Sequence, residues 1–407
     1  KTMKIAFLTS IYPKHASLIY QQHPRLGNKS STEQEEFVRW HALSSFVRWF
    51  ELLEKQGFET CGFNLNLPEI NLSWAKENHY SPKTNEPILE IGKEKIRRFD
   101  PDLIFCFSPI TYIKNGSMKT LAETCSKPPK TIAWYGANQG DEEIFRSFDL
   151  TLSNSKHLVN RLNARGINSD FLQHSFDPII LDKIDLSQKR KNRAVFIGNL
   201  DTTTIDFTKR TKMLEEILMT TRKLDVFGVI ERPTSSERIH HSALRLRTCF
   251  SRKVCNFFNH SRITYWANPD NLPSNPWKVS PNFAKHVKPP LFGKDMLQKL
   301  SSYQCAINYH NKHTGNNACN MRIFETTGVG SALITDEKSD LNDYFEKDSE
   351  ILTYSTKFEA IEKINYLIDN PLKAKQIGKA GQLRCLKSHS TQNQINRLSE
   401  IIKSALT

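Results

Sequence analysis

The sequence predicts an α/β protein built on parallel sheets in two similar halves, and three observations carry that prediction. Short apolar runs alternate with amphipathic stretches at helical spacing. The alternation restarts after a charged stretch at 188–193. The chain of 407 residues is long enough for about two hydrophobic cores.

Residues 4–9 open the chain as a strand that runs straight into a polar connection, 10–32, long for a strand–helix loop. Phe37, Trp40, Leu43, Phe46, Val47, Phe50 and Leu53 recur at helical spacing and predict one long helix over 33–56, stopped by Gly57. A strand follows at 60–64, a helix at 88–99, and a strand at 102–108 introduced by the Asp100-Pro101 breaker. Strands at 131–134 and 150–153 and a helix at 155–165 complete the first half. In the second half 194–198 is a strand ending in glycine, 210–221 a helix and 223–227 a strand. Met296 and Leu300 fall in a helix, 305–309 is a strand, 321–327 a helix and 332–335 a strand. Helices at 357–367, 372–388 and 392–405 end the chain.

Composition places the chain among globular proteins, with 38% hydrophobic and 25% charged residues. No apolar run approaches the ~20 residues of a membrane helix, and nothing in the first residues indicates export. Eight scattered cysteines without a Cys-x-x-Cys pair fit buried thiols in a reducing cytosol. The net charge of +14 implies an anionic partner. Part of it is concentrated at 238–262, where Arg238, Arg245, Arg247, Arg252, Lys253 and Arg262 interleave with bulky apolar residues and no acid intervenes. Two readings stay open for this stretch: a basic amphipathic helix lying on an anionic bilayer, or an ordinary helix with a solvated basic face.

The most informative run is 320–336, Asn-Met-Arg-Ile-Phe-Glu-Thr-Thr-Gly-Val-Gly-Ser-Ala-Leu-Ile-Thr-Asp. A helix N-terminus there suits a phosphate, through the Asn320 and Met321 amides and Arg322. Glu325, one turn in, is placed to accept hydrogen bonds from two ribose hydroxyls. The run resembles the donor-site helix of group 1 glycosyltransferases of the GT-B superfamily, above all the spore-maturation-protein-like branch, with the similarity clearest over 288–389. That family marks this helix with a Glu-x7-Glu pair whose second Glu binds the nucleotide ribose. Glu325 stands at the second position and Asn317 at the first, so the motif is half kept.

The resemblance implies a GT-B plan of two facing Rossmann-like domains: 1–184 on the acceptor side, 185–390 for the nucleotide-sugar, and 391–407 as a C-terminal helix packing back on the first. It implies transfer of a sugar from a nucleotide-diphosphate donor to a hydroxyl of a bacterial surface glycan or lipid-linked precursor, without a bound metal and with a lean towards retention. The nucleotide-sugar would be a co-substrate, and no cofactor is expected. On the donor side it points to Gly198 after the strand, Arg210 at a helix start, Gly293 in a turn, and His310 at a strand's C-terminal end. His15 and His23, in the first polar connection, are candidates for a general base. Trp134, Tyr135 and His174 are candidates for the acceptor. The location that follows is cytoplasmic, peripheral at the inner face of the plasma membrane if 238–262 binds lipid. Two rival functions share these features: a nucleotide-sugar epimerase on the same plan, and a non-catalytic sugar or nucleic-acid binder. Walker A, Gly-x-Gly-x-x-Gly, His-Glu-x-x-His and Gly-x-Ser-x-Gly motifs are all absent from the sequence, and no nucleic-acid-binding signature accompanies the charge.

Overall fold

The computed structural model describes residues 2–43, 46–108, 117–136, 142–200, 205–221, 223–230, 279–310 and 315–406. The basic stretch 238–262 lies outside them.

Six parallel strands form the first sheet: β1 (Met3–Thr9), β2 (Phe58–Asn64), β3 (Leu103–Phe107), β4 (Lys130–Trp134), β5 (Leu150–Ser153) and β6 (Ser169–Phe171), in the order β2-β1-β3-β4-β5-β6. The central strand β1 is apolar from Ile5 to Leu8 because helices cover both faces of a parallel sheet, and all four residues are fully buried. The second sheet holds β7 (Lys191–Ile197), β8 (Leu224–Phe227), β9 (Val287–Lys288), β10 (Tyr303–Asn308), β11 (Ala332–Asp336) and β12 (Leu352–Tyr354), in the order β12-β11-β10-β7-β8-β9. The strand order reverses between β1 and β3 in one sheet and between β7 and β10 in the other. Ligands of such sheets collect beyond the strand C-termini at these reversals.

The first half carries α1 (Pro13–Gln22), α2 (Ser31–Ala42), α3 (Trp49–Glu54), α4 (Pro68–Glu77), α5 (Pro87–Phe99), α6 (Ser117–Ala122) and α7 (Lys156–Ala164). Two expectations fail here. The connection 10–32 is not one loop, since it contains α1 and a 3-10 turn at Leu26–Asn28. The long helix expected over 33–56 is two. A capping box between Ser30 and Glu33 starts α2, and Leu43 ends it with a left-handed φ of 38°. The break lets Leu43 and Val47 turn into a core shared with Phe176 and with Leu297, Ile323 and Phe324 of the other half. Tertiary packing outweighs helix propensity at this point.

The second half carries α8 (Ile205–Thr221), α9 (Pro281–His286), α10 (Gly293–Ser301), α11 (Met321–Gly328), α12 (Lys357–Asp369), α13 (Pro371–Ser388) and α14 (Thr391–Leu406). The chain returns to the first half beside its outward crossing. Phe176 N–H donates to the His389 carbonyl at 2.9 Å, and Thr391 N–H donates to the Phe176 carbonyl at 3.1 Å. Helix α14 then buries Ile395, Leu398, Ile401 and Ile402 against Ile5, Trp49 and Phe105. Trp49 Nε1 seals the join by donating to Gln394 Oε1 at 3.0 Å. The C-terminal helix thus packs on the first half.

Candidate functional site

Helix α11 begins at the C-terminal edge of the second sheet. Its N-cap, Asn320, accepts from the Arg322 N–H through Oδ1 at 3.1 Å and donates through Nδ2 to Asn308 Oδ1 at 2.7 Å. Asn308 ends β10 and donates onward to Thr335 Oγ1 of β11 at 2.9 Å. The helix start is thereby tied to two strand ends.

One turn in, Arg322 pairs with Glu325 at 2.7 Å, and both side chains are largely buried. Burial pushes the Glu325 carboxyl above its ordinary value, and the Arg322 guanidinium opposes that rise. Arg322 also lies 2.9 Å from Met296 Sδ on α10. Across from them stands Tyr12, just before α1 of the first half. It is 74% exposed, yet its hydroxyl is raised by the protein around it, then by Glu325, with Arg322 opposing. Tyr12 of the first half thus lies within electrostatic reach of the buried pair of the second.

The same seam continues along α1, α2 and α10. His15 stacks on Phe292, with centroids 5.1 Å apart and planes 15° from parallel, while Tyr12 meets that ring at 6.3 Å. Gly293 takes a left-handed φ of 48°, and a Cβ there would stand 2.2 Å from the His41 carbonyl oxygen. Burial lowers His15 to about 4, with His41 adding to the fall and Asp295 opposing it. His41 is lowered as well, by burial first, with Asp295 opposing. His23 is half-buried, edge-on to Phe37 at 4.8 Å and to His41 at 5.5 Å.

At the sheet edge, His310 is buried with Nδ1 2.7 Å from Asp336 Oδ1, and its N–H donates to that same oxygen at 2.8 Å. Burial alone would raise Asp336, but the His310 hydrogen bonds and Lys338 hold its carboxyl below the ordinary range. His310 Nε2 is buried without a partner among the described residues.

Residues 210–400 match a family described as "Glycosyl transferase-like". No curated protein matches the chain. Three solved structures align over nearly the whole length of both chains. Sucrose-phosphate synthase from Thermosynechococcus elongatus is 10% identical with a TM-score of 0.54, covering 99% of this chain and 98% of that one. An alpha-glucosyltransferase in complex with UDP and a 13-mer DNA is 12% identical with a TM-score of 0.56, covering 99% of each chain. Anabaena Alr3699/HepE in complex with UDP and glucose is 12% identical with a TM-score of 0.52, covering 99% and 100%. The fold is GT-B, and 210–400 is similar to a glycosyl transferase family.

Arg322 and Glu325 lie with Asn320 and Met321 at one helix end, while Gly293 meets the His41 carbonyl and His15 stacks on Phe292 along the seam. Gly198 and Arg210 sit by the end of β7. Gly198 N–H donates to the Phe227 carbonyl at 3.0 Å, and buried Arg210 donates to the Asn199 carbonyl with its guanidinium 5.7 Å from the Phe196 ring centre. The acceptor candidates lie deeper. Trp134 and Tyr135 are 5% and 6% exposed and belong to the two cores on opposite faces of the first sheet. His174 lies edge-on to Trp134 at 5.0 Å, and burial lowers it to about 4. Asn317, at the first motif position, donates to Asp340 Oδ2 at 3.1 Å and helps fix the loop before α11. Sequence reasoning gave no individual role to Phe292, Met296, His41 or Asp336. For Asp336 the available signal was its place at the end of a strand beside the strand of His310.

Proposed function

We propose that this protein is a glycosyltransferase that takes its sugar from a nucleotide-diphosphate donor seated at α11. The Arg322–Glu325 pair carries the reading: a largely buried carboxylate in the first turns of a helix, next to a cation, within electrostatic reach of the exposed Tyr12 of the first half. Glu325 accepts from the ribose hydroxyls. Arg322 and the first amides of α11 meet the charge that grows on the leaving diphosphate as the glycosidic C–O bond breaks, without a metal. His310 Nε2 and the Gly198 turn lie at the same sheet edge and face the transferred sugar and its phosphate. Solved neighbours holding UDP, UDP with glucose, and UDP-glucose on the same fold support a nucleotide donor.

The acceptor in this proposal is a hydroxyl of a bacterial surface glycan or its lipid-linked precursor, met at the cytoplasmic face of a membrane, and the chain belongs with the spore-maturation-protein-like branch. Retention is the stereochemical course. A general base works best with a pKa near the working pH, and His15 at about 4 is a weak base at pH 7. His15 is then a neutral hydrogen-bonding group beside the acceptor. The test is a panel of UDP-, GDP-, dTDP- and CMP-sugars in the presence of EDTA. Slow hydrolysis of one donor supports transfer, isomerisation would assign an epimerase instead, and a panel in which nothing binds or turns over refutes the donor site.

A further inference from the structure

Helix α13 contains no acidic residue and five basic ones: Lys373, Lys375, Lys379, Arg384 and Lys387. Its inner side is fixed. Ala374, Ile377, Gly378, Gly381 and Cys385 are buried, and a Cβ on Gly378 would stand 2.4 Å from the Gly330 carbonyl oxygen. The helix backbone lies so close to its neighbours that it has no room to roll.

Its outer side is therefore a fixed platform with an unusual make-up. At about 100° per residue, Leu372, Gln376, Lys379 and Leu383 fall within a strip about 60° wide, with Lys375 and Lys387 on either flank. Leu372 is 77% exposed and Leu383 60% exposed. They stand eleven positions apart in the sequence, about 16 Å along the axis at about 1.5 Å per residue. Lys375, Lys379 and Lys387 have no carboxylate partner among the described residues.

We propose that this face of α13 rests on an anionic lipid bilayer. Two leucines on the midline with lysines beside them is the arrangement by which a helix lies in a membrane interface, the apolar side chains entering the acyl boundary and the ammonium groups meeting phosphates. A nucleic acid would use the lysines but gain nothing from leucines between them. The surface is built from other residues than 238–262 and than the proposed donor site, so it stands or falls apart from the proposed chemistry.

The test is co-sedimentation of the full-length protein with sucrose-loaded vesicles of phosphatidylcholine alone or with 30% phosphatidylglycerol. The wild type binds the anionic vesicles and not the neutral ones, and loses them in 1 M salt. Lys375→Glu with Lys379→Glu lowers the partition at least 30-fold, and Leu372→Ser with Leu383→Ser lowers it about tenfold. All variants retain wild-type thermal midpoints and wild-type hydrolysis of any soluble donor. Four outcomes overturn the proposal. Wild-type protein that ignores both vesicle types is one, and equal binding to both is another. Wild-type affinity in both α13 variants, with binding lost in Arg245→Glu with Arg252→Glu, moves the contact to 238–262. Full affinity in the leucine variant, together with displacement by duplex DNA, makes the face a general polyanion site.

Discussion

Gly293→Ala gives the sharpest reading of how the two halves close on each other. The substitution adds one methyl group and does two things. An alanine at φ 48° costs about 1–2 kcal/mol for the left-handed backbone alone. The new Cβ would also stand 2.2 Å from the His41 carbonyl oxygen and 2.7 Å from that of Ala42, where ordinary contact begins near 3.4 Å. Both obstacles are backbone atoms of α2, so the start of α10 and the end of α2 must part by about 1 Å. Overpacking of this kind costs about 1–3 kcal/mol more. Gly57→Ala is the control: its φ is 90° and nothing lies within 4 Å of the added methyl, so it carries the conformational cost alone. Urea unfolding of the two variants should therefore differ by about 1–3 kcal/mol, Gly293→Ala being the less stable. Its nucleotide affinity should fall as well, because Tyr12 and Phe292 move apart with the seam. If Gly293→Ala proves no costlier than Gly57→Ala and binds nucleotide normally, the close approach of α2 and α10 is not a feature of the molecule.

Three further outcomes follow from the site. Glu325→Gln keeps the shape but removes the charge that, in the proposed site, strengthens bonds to the ribose, so calorimetry should show nucleotide binding weakened by about 1.5–3 kcal/mol, roughly 10–150-fold; an unchanged affinity would take Glu325 out of the site. Arg322→Ala should lower kcat more than it raises KM, since its target charge develops as the bond breaks, and a pure KM effect would make it a ground-state contact instead. His174 is neutral in the folded chain down to about pH 4 but takes a proton below its ordinary value of 6.5 once unfolded. The unfolded state binds more protons in that window, so stability is lost as pH falls from 6.5 towards 4, by about 3 kcal/mol from this residue. His174→Gln should flatten that part of the stability profile relative to wild type, and parallel profiles would refute the burial of a neutral ring.

The sequence is legible where a segment's period and its burial agree. Ile5 to Leu8 read as a covered parallel strand because both faces are apolar. Helix α14 was readable because Ile395, Leu398 and Ile402 keep helical spacing. The glycines at 328 and 330 bracket the turn between α11 and β11 as its chemistry suggests. Legibility stops where a tertiary contact decides. Nothing local marks Leu43 as a helix end; its left-handed backbone is set by packing against the second half. Helix α1 buries only His15 and Ile19, too few positions to show a period. Trp134 and Tyr135 looked accessible at the end of a strand, yet alternate side chains go to opposite faces and helices cover both. Asp336 becomes meaningful only once β10 and β11 are known to be neighbours, because its partner His310 is 26 positions earlier in the chain.

If a nucleotide binds at α11 as proposed, the pairing of Arg322 with Glu325 shapes how it does so. A buried carboxylate tolerates its charge only with a partner, and Arg322 is that partner. A diphosphate that draws Arg322 towards itself leaves Glu325 short of donors, which is unfavourable unless something else hydrogen-bonds to it. Two ribose hydroxyls on the same ligand do so, and the raised Tyr12 hydroxyl is close enough to feel the same charge. Inorganic diphosphate would take the cation and strand the carboxylate. A nucleoside would leave the pair intact and gain little. Only a molecule carrying both groups at the right separation satisfies both residues at once, so ribose and phosphate contributions reinforce each other. Two short side chains one turn apart can in this way select a nucleoside diphosphate over either of its parts.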